Sequence, residues 1–119
     1  MTIDELYQKL GGDFTKVCGR LPGRRFVERF LERYLTDDSA DALLAALRTG
    51  DAGESYRLAL ALKGVAGNLG FEDLEKTVAR LAEILRAGSV TPEALRLAET
   101  ISAQHQMAVK AIRLYLAEK

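Results

Sequence analysis

The stretch from Leu58 to Gly70 has the apolar spacing of a helix that buries one of its sides. A helix turns by about 100° per residue, and on that wheel five apolar residues share one face: Leu58, Leu62, Val65, Ala66 and Leu69. Leu60 lies roughly 160° from Leu62. We therefore expect Leu60 to face outward, with Lys63 beside it, while the opposite face packs into a core.

Two glycines, Gly64 and Gly67, lie on the same outward side as Leu60. Each glycine in a helix interior costs about 1 kcal/mol relative to alanine, so bare backbone at these positions needs a reason. Either a neighbouring helix of the same chain packs closely there, or a partner protein approaches the helix on this side. The apolar Leu60 and the cationic Lys63 next to the glycines favour a partner-binding face.

The chain as a whole predicts an all-α fold. Its 119 residues suit one domain, residues 1–119. Only two prolines are present, and no run of alternating apolar and polar residues rich in Val, Ile and Thr suggests a strand. Because short connections imply antiparallel neighbours, we expect an antiparallel four-helix bundle with a short N-terminal helical lid.

Capping residues indicate where the helices begin. Thr2 with Glu5 has the pattern of a capping box, and Asp13 can cap a second short helix. Pro22 suits the first position of a third helix. The face that this helix is expected to bury contains Phe26, Val27, Phe30 and Tyr34. Later helices are expected after the break at Thr36 to Ser39, at the Asp51–Glu54 pair, at Glu72–Asp73 and at Thr91–Pro92.

The last and longest helix carries an apolar stripe that includes the single histidine of the chain. Its members are Leu95, Ala98, Ile101, His105, Ala108, Val109, Ile112 and Leu116. Because His105 lies in the middle of this stripe, we expect its ring to be buried or half-buried and hydrogen-bonded within the bundle. A partner protein would not reach it there.

Composition excludes several classes of function. Seventeen basic and seventeen acidic side chains give a formal net charge of zero, so no global field favours nucleic acid or an anionic membrane. No apolar run approaches the length that spans a bilayer, and the single cysteine suits a reducing compartment, so the cytoplasm is the expected location. Neither metal-ligand spacing nor a nucleotide loop is present, since the glycines at 64, 67 and 70 follow no strand. We expect no metal and no cofactor.

The same stretch resembles the central signature of the histidine phosphotransfer (HPt) family, Ala-His-x-Leu-Lys-Gly-x-Ala-x-Asn-Leu-Gly. Leu62-Lys63-Gly64 and Asn68-Leu69-Gly70 fall in register with it, as does Leu74 beyond it. The acceptor histidine is missing, and Leu60 occupies its position. The resemblance covers essentially the whole chain, because three further segments are similar to small HPt proteins: Leu6 to Gly12, Phe26 to Tyr34 and Gly50-Asp51.

In that family an exposed imidazole accepts phosphate from an aspartyl phosphate of a receiver domain, or returns it. The resemblance implies that Lys63 attracts the acidic pocket of a receiver and that Gly64 and Gly67 leave space for its loops. It implies structural roles in the motif for Leu62, Asn68 and Gly70. Leucine cannot carry a phosphoryl group, so Leu60 would act as an apolar anchor, and a fully buried leucine gains on the order of 1.5 to 3 kcal/mol.

The leading hypothesis is a non-catalytic module of two-component signalling, not an enzyme, that docks response-regulator receiver domains and acts as a decoy. A histidine kinase would be a further partner, and we expect a monomer or a weak dimer. A second hypothesis is an active phosphocarrier using His105, which requires an exposed ring beside the docking face. A third is a structural or oligomerising helical bundle that buries Leu60 in a self-interface. Fold identity alone does not separate these hypotheses.

Overall fold

The computed structural model describes residues 1–20 and 23–118, and every regular element in these ranges is an α-helix. The helices are α1 (Ile3–Lys9), α2 (Phe14–Arg20), α3 (Arg24–Thr36), α4 (Ser39–Thr49), α5 (Ala52–Leu69), α6 (Glu72–Leu85) and α7 (Pro92–Glu118). None of the helices in the described ranges has the length and apolar character needed to cross a membrane. The expected all-α class is confirmed.

The bundle consists of the α3–α4 arm, α5, α6 and α7. Consecutive helices pack against each other from α4 to α7, and α7 closes the bundle by packing on both halves of the arm. The connections at Gly50-Asp51 and Gly70-Phe71 are too short to allow anything but antiparallel neighbours. This is the antiparallel four-helix bundle that the sequence predicts, with α1 and α2 as its lid.

Side-chain caps confirm four of the predicted helix starts, and one of them is Asp13, whose carboxylate accepts a hydrogen bond from the Lys16 N–H at 3.3 Å. Thr2 and Glu5 form a complete capping box, in which each side chain accepts a hydrogen bond from the other residue's backbone N–H. The Asp51 carboxylate accepts from the Glu54 N–H at 3.0 Å, and the Thr91 hydroxyl accepts from the Ala94 N–H at 3.1 Å. These caps satisfy amide groups that have no partner inside their own helices.

Two backbone hydrogen bonds attach the lid to the turn between α5 and α6. The Asp13 N–H donates to the Gly70 carbonyl at 3.1 Å, and the Asp73 N–H donates to the Gly11 carbonyl at 3.2 Å. Tyr7 of α1 is buried between Phe14 and Phe71, with ring centroids 5.5 and 5.8 Å away. The lid is therefore part of the packed structure at the end of α5.

The two ends of the described chain lie next to each other. The N-terminal ammonium group of Met1 pairs with the Glu118 carboxylate at 2.6 Å. The ion pair raises the pKa of that ammonium group, chiefly through its hydrogen bond to Glu118. The start of α1 thus contacts the end of α7.

The structure corrects two expectations about buried faces. Phe26 is 42% exposed, because it lies about 100° from Val27 and at the edge of the face that Val27, Leu31 and Tyr34 bury. Leu95 is 46% exposed, because Ala94, about 100° away on the wheel, takes the buried position on α7. The expected helix start at Pro22 lies outside the described residues; α3 begins at Arg24, after Gly23.

Candidate functional site

The outer side of α5 carries the residues that the sequence places on a partner-binding face. Leu60 is 45% exposed, and Lys63 and Gly64 are exposed beside it. On the opposite side, Leu62, Ala66 and Leu69 are buried in the core, and Leu58 and Val65 pack against it as half-buried side chains. The predicted register of α5 is confirmed.

One open groove brings the candidate residues together. It runs along α5 and onto the neighbouring helix α6, and its lining residues are Leu60, Lys63, Gly64, Gly67, Asn68 and Glu75. All four residues of the expected docking face, Leu60, Lys63, Gly64 and Gly67, are among them. Glu75 comes from α6, and the sequence pattern of α5 did not predict its presence here.

The two glycines in the groove differ in their surroundings. A Cβ atom added to Gly64 would have no heavy atom within 4 Å, so its backbone is open to an approaching molecule. A Cβ atom added to Gly67 would lie 2.7 Å from Oε2 of Glu75. A side chain at Gly67 would have to displace the Glu75 carboxylate, whereas one at Gly64 would meet no other part of the chain.

The groove has a mixed electrostatic character. Lys63 supplies a cation that makes no ion pair with any residue in the described ranges, and Glu75 supplies an anion at the other end. Leu60 lies in the same groove and offers neither a charge nor a hydrogen-bond donor. A molecule docking here meets an apolar side chain with a cation one helical turn away.

The three residues assigned to the structure of the motif occupy different environments. Leu62 is fully buried. Gly70 ends α5 in the left-handed conformation, with φ of 70°, and a Cβ atom there would overlap the Val17 side chain of the lid. Asn68, in contrast, is exposed and lines the groove. Its position fits a contact residue as well as a structural one.

A second groove continues from the first onto α3. It is lined by Asn68, which both grooves share, and by Phe30, Arg33, Tyr34, Asp37, Val65 and Leu69. The Arg33 guanidinium lies over the Phe30 ring at 5.3 Å from its centroid, and Arg29 lies over exposed Phe26 at 5.6 Å. The apolar spacing of α3 did not predict this surface. The repeated Phe-x-x-Arg spacing in α3 was the available signal, since residues three apart are neighbours on a helix.

His105 lies in a different place. Its side chain is 13% exposed, its Nδ1 atom is 2.7 Å from the Tyr34 hydroxyl, and its Nε2 atom is 3.9 Å from the Asp41 carboxylate. Burial raises the pKa of Tyr34, so this phenol remains protonated. The groove beside His105 also contains Lys110, Arg113 and Leu114 and shares no residue with the groove at Leu60. The expected half-buried, hydrogen-bonded histidine is confirmed.

The all-α bundle agrees with the result of comparing the sequence with models of protein families. The model of the Hpt domain matches residues 25–117. The chain belongs to the Hpt domain family. No curated protein and no solved structure matches it with significance. Hpt domains are phosphocarriers rather than enzymes, and they interact with response regulators and kinases in phosphorelay signalling.

Proposed function

We propose that residues 1–119 form a single Hpt domain that docks receiver domains of response regulators without accepting phosphate from them. The observation that carries this proposal is the position of Leu60. It is exposed on α5, at the point of the signature where the family pattern has its acceptor histidine. A leucine has no nucleophilic atom, so phosphoryl transfer through this position is chemically impossible.

Three features of the groove support docking. Leu60 is an exposed apolar side chain whose full burial by a partner contributes on the order of 1.5 to 3 kcal/mol. Lys63 attracts the acidic pocket in which a receiver holds its aspartate. Gly64 leaves its surroundings open, so that loops of the partner can approach the helix backbone.

The surface on α3 adds area to this docking face. Arginine and aromatic residues are enriched in protein interfaces, and Arg33 on Phe30 presents both beside Asn68. A cation held against an aromatic ring loses less side-chain entropy on binding than a freely moving one. The receiver would then contact α5 through Leu60 and α3 through Arg33.

The biological role that follows is a decoy in the cytoplasm. A receiver bound to this chain is withheld from the kinases and phosphotransfer proteins that share its docking surface. The chain would act as a monomer or a weak dimer and could contact a histidine kinase through the same face. It would use neither nucleic acid nor a membrane nor a cofactor.

The test is a calorimetric titration of the chain with receiver domains from the same organism. Gly64→Gln adds a side chain to the open part of the groove and should weaken binding by about tenfold or more, the equivalent of about 1.4 kcal/mol. The matched control is Gly53→Gln, which adds the same side chain to an exposed position at the other end of α5. Absence of binding to every receiver, or equal effects of the two variants, would contradict the proposed docking face.

A further inference from the structure

If the chain docks receiver domains as proposed above, the side chain at position 60 also affects whether the phosphorylated or the unphosphorylated receiver binds more tightly. In a docked complex this position faces the aspartate that carries the phosphoryl group. Leu60 is the part of the chain closest to that aspartate in the family arrangement, and it lies in the groove with Lys63 and Glu75. The chemistry of these three side chains determines how a phosphoryl group is received.

A phosphoryl group adds about −1.5 to −2 charges and three acceptor oxygens. Docking removes water from these oxygens, and a buried anion without hydrogen-bond donors is unfavourable. Leu60 donates nothing, and the amide groups in the middle of α5 are already used in its own helix. Position 60 therefore offers no donor to the phosphoryl group, and the donors of the groove are the Lys63 ammonium group and the Asn68 amide.

The charged side chains near Leu60 compensate only in part for the missing donor at position 60. Lys63 can neutralise only part of the phosphoryl charge. Glu75 places a carboxylate in the same groove, beside Gly67, and it opposes a second anion.

An unphosphorylated receiver meets the same face at lower cost. Without the phosphoryl group, docking buries Leu60 with no added dianion beside it, and Lys63 keeps its attraction to the acidic pocket. We infer that this chain selects unphosphorylated receiver domains and releases them when they are phosphorylated. Leu60 is the residue that determines this specificity, and the chain withholds the receivers that await phosphorylation.

The experiment compares one receiver in two states, with Mg²⁺ alone and with Mg²⁺ and beryllofluoride, which mimics the aspartyl phosphate. We expect beryllofluoride to weaken binding to the natural chain by about tenfold, or about 1.4 kcal/mol. Leu60→Gln supplies an amide donor that cannot accept phosphate, and it should reverse the preference. Leu60→Met keeps an apolar side chain of similar volume and should retain it. Position 60 is exposed, so both variants should fold, and circular dichroism checks this.

The outcomes separate the two proposals. Absence of binding in both states, for every receiver tried, means that the proposed docking function is wrong. Binding that is equal or tighter with beryllofluoride leaves docking intact and overturns the inferred preference. If Leu60→Gln still prefers the unphosphorylated receiver, the preference comes from the receiver's own conformational change. The assignment of this specificity to Leu60 is then wrong.

Discussion

The Tyr34 hydroxyl and the Nδ1 atom of His105 lie 2.7 Å apart, so α3 and α7 share a hydrogen bond between side chains inside the bundle. Tyr34 also packs edge-on against Phe71, at 5.5 Å between ring centroids. The histidine is thus held within the bundle through Nδ1, the ring nitrogen that faces α3. Its place is that of a structural residue joining two helices.

Replacing Tyr34 with phenylalanine should therefore cost about 1 to 2 kcal/mol of unfolding free energy, because it leaves a part-buried ring nitrogen without its partner. Tyr7 provides the matched control. Its hydroxyl is buried and has no hydrogen-bond partner among the described residues, so Tyr7→Phe removes an unsatisfied polar group and should cost no stability. Urea unfolding measures both. Equal losses would show that the Tyr34–His105 bond contributes nothing of its own.

Gly70→Ala should detach the lid. A non-glycine residue in the left-handed conformation costs roughly 1 to 2 kcal/mol, and at Gly70 the added methyl group would also overlap Val17 of α2. Gly50→Ala has the same backbone cost, with φ of 77°, but its added atom meets nothing within 4 Å. We expect the first variant to lose about 1 to 3 kcal/mol more than the second.

Hydrogen exchange locates this effect. In Gly70→Ala the amides of α1 and α2 should exchange faster than in the natural chain, while those of α4 keep their protection. Uniform acceleration across the bundle would mean that the lid and the helices unfold together, and the lid would then not be a separate unit.

Leu60→His tests whether the missing imidazole alone separates the chain from a phosphocarrier. The histidine would lie on the exposed side of α5, one turn before Lys63 and Gly64. Since phosphoryl transfer depends chiefly on positioning and on electrostatic stabilisation, this variant should accept phosphate from a compatible phosphorylated receiver. Its stability should differ from that of the natural chain by no more than about 0.5 kcal/mol.

Two controls define the result. The natural chain should remain unlabelled under the same conditions, because His105 is half-buried and bonded to Tyr34. The double variant Leu60→His, His105→Gln should be labelled as well as the single variant. Acid-labile phosphate on the natural chain would identify His105 as an acceptor, and a folded but unlabelled Leu60→His would show that the surface around it no longer supports transfer.

Stability should fall at alkaline pH. Burial raises the pKa of Tyr7 and of Tyr34 above the ordinary value of about 10. Above that pH the unfolded chain releases phenolic protons that the folded chain retains, so the free energy of unfolding decreases as pH rises. Urea titrations from neutral pH to above the ordinary pKa of tyrosine measure this slope. The double variant Tyr7→Phe, Tyr34→Phe should have a flatter profile, and an unchanged slope would refute the assignment.

The sequence correctly predicts those features that depend on the residues of a single helix. The register of α5, with Leu62 buried and Leu60 exposed, follows from the spacing of apolar residues, and the caps at Thr2, Asp51 and Thr91 follow from local hydrogen bonding. Both depend on residues within a few positions of one another. Tertiary packing does not alter them.

The sequence did not predict features that depend on which residues a neighbouring helix places against a side chain. Gly64 and Gly67 both lie on the outer side of α5, and the sequence pattern does not distinguish them. Only Gly67 lies against Glu75, a residue of the neighbouring helix α6. Phe26 and Leu95 are apolar and close to buried stripes, but the width of each buried face is set by what packs on it. A helical wheel gives the direction of a side chain and not the element that it meets.

The ion pair between Met1 and Glu118 has a consequence for chain topology. Since Met1 and Glu118 are in contact, a short peptide could link α7 to α1. The turn at Gly88, where φ is 99° and an added Cβ atom would meet nothing within 4 Å, could be opened instead. The resulting circular permutant would begin with α7 and end with α6, yet it would keep every contact in the core. The order of the helices along the chain is thus separable from the bundle that they form. The natural chain and the permutant would have the same face around Leu60.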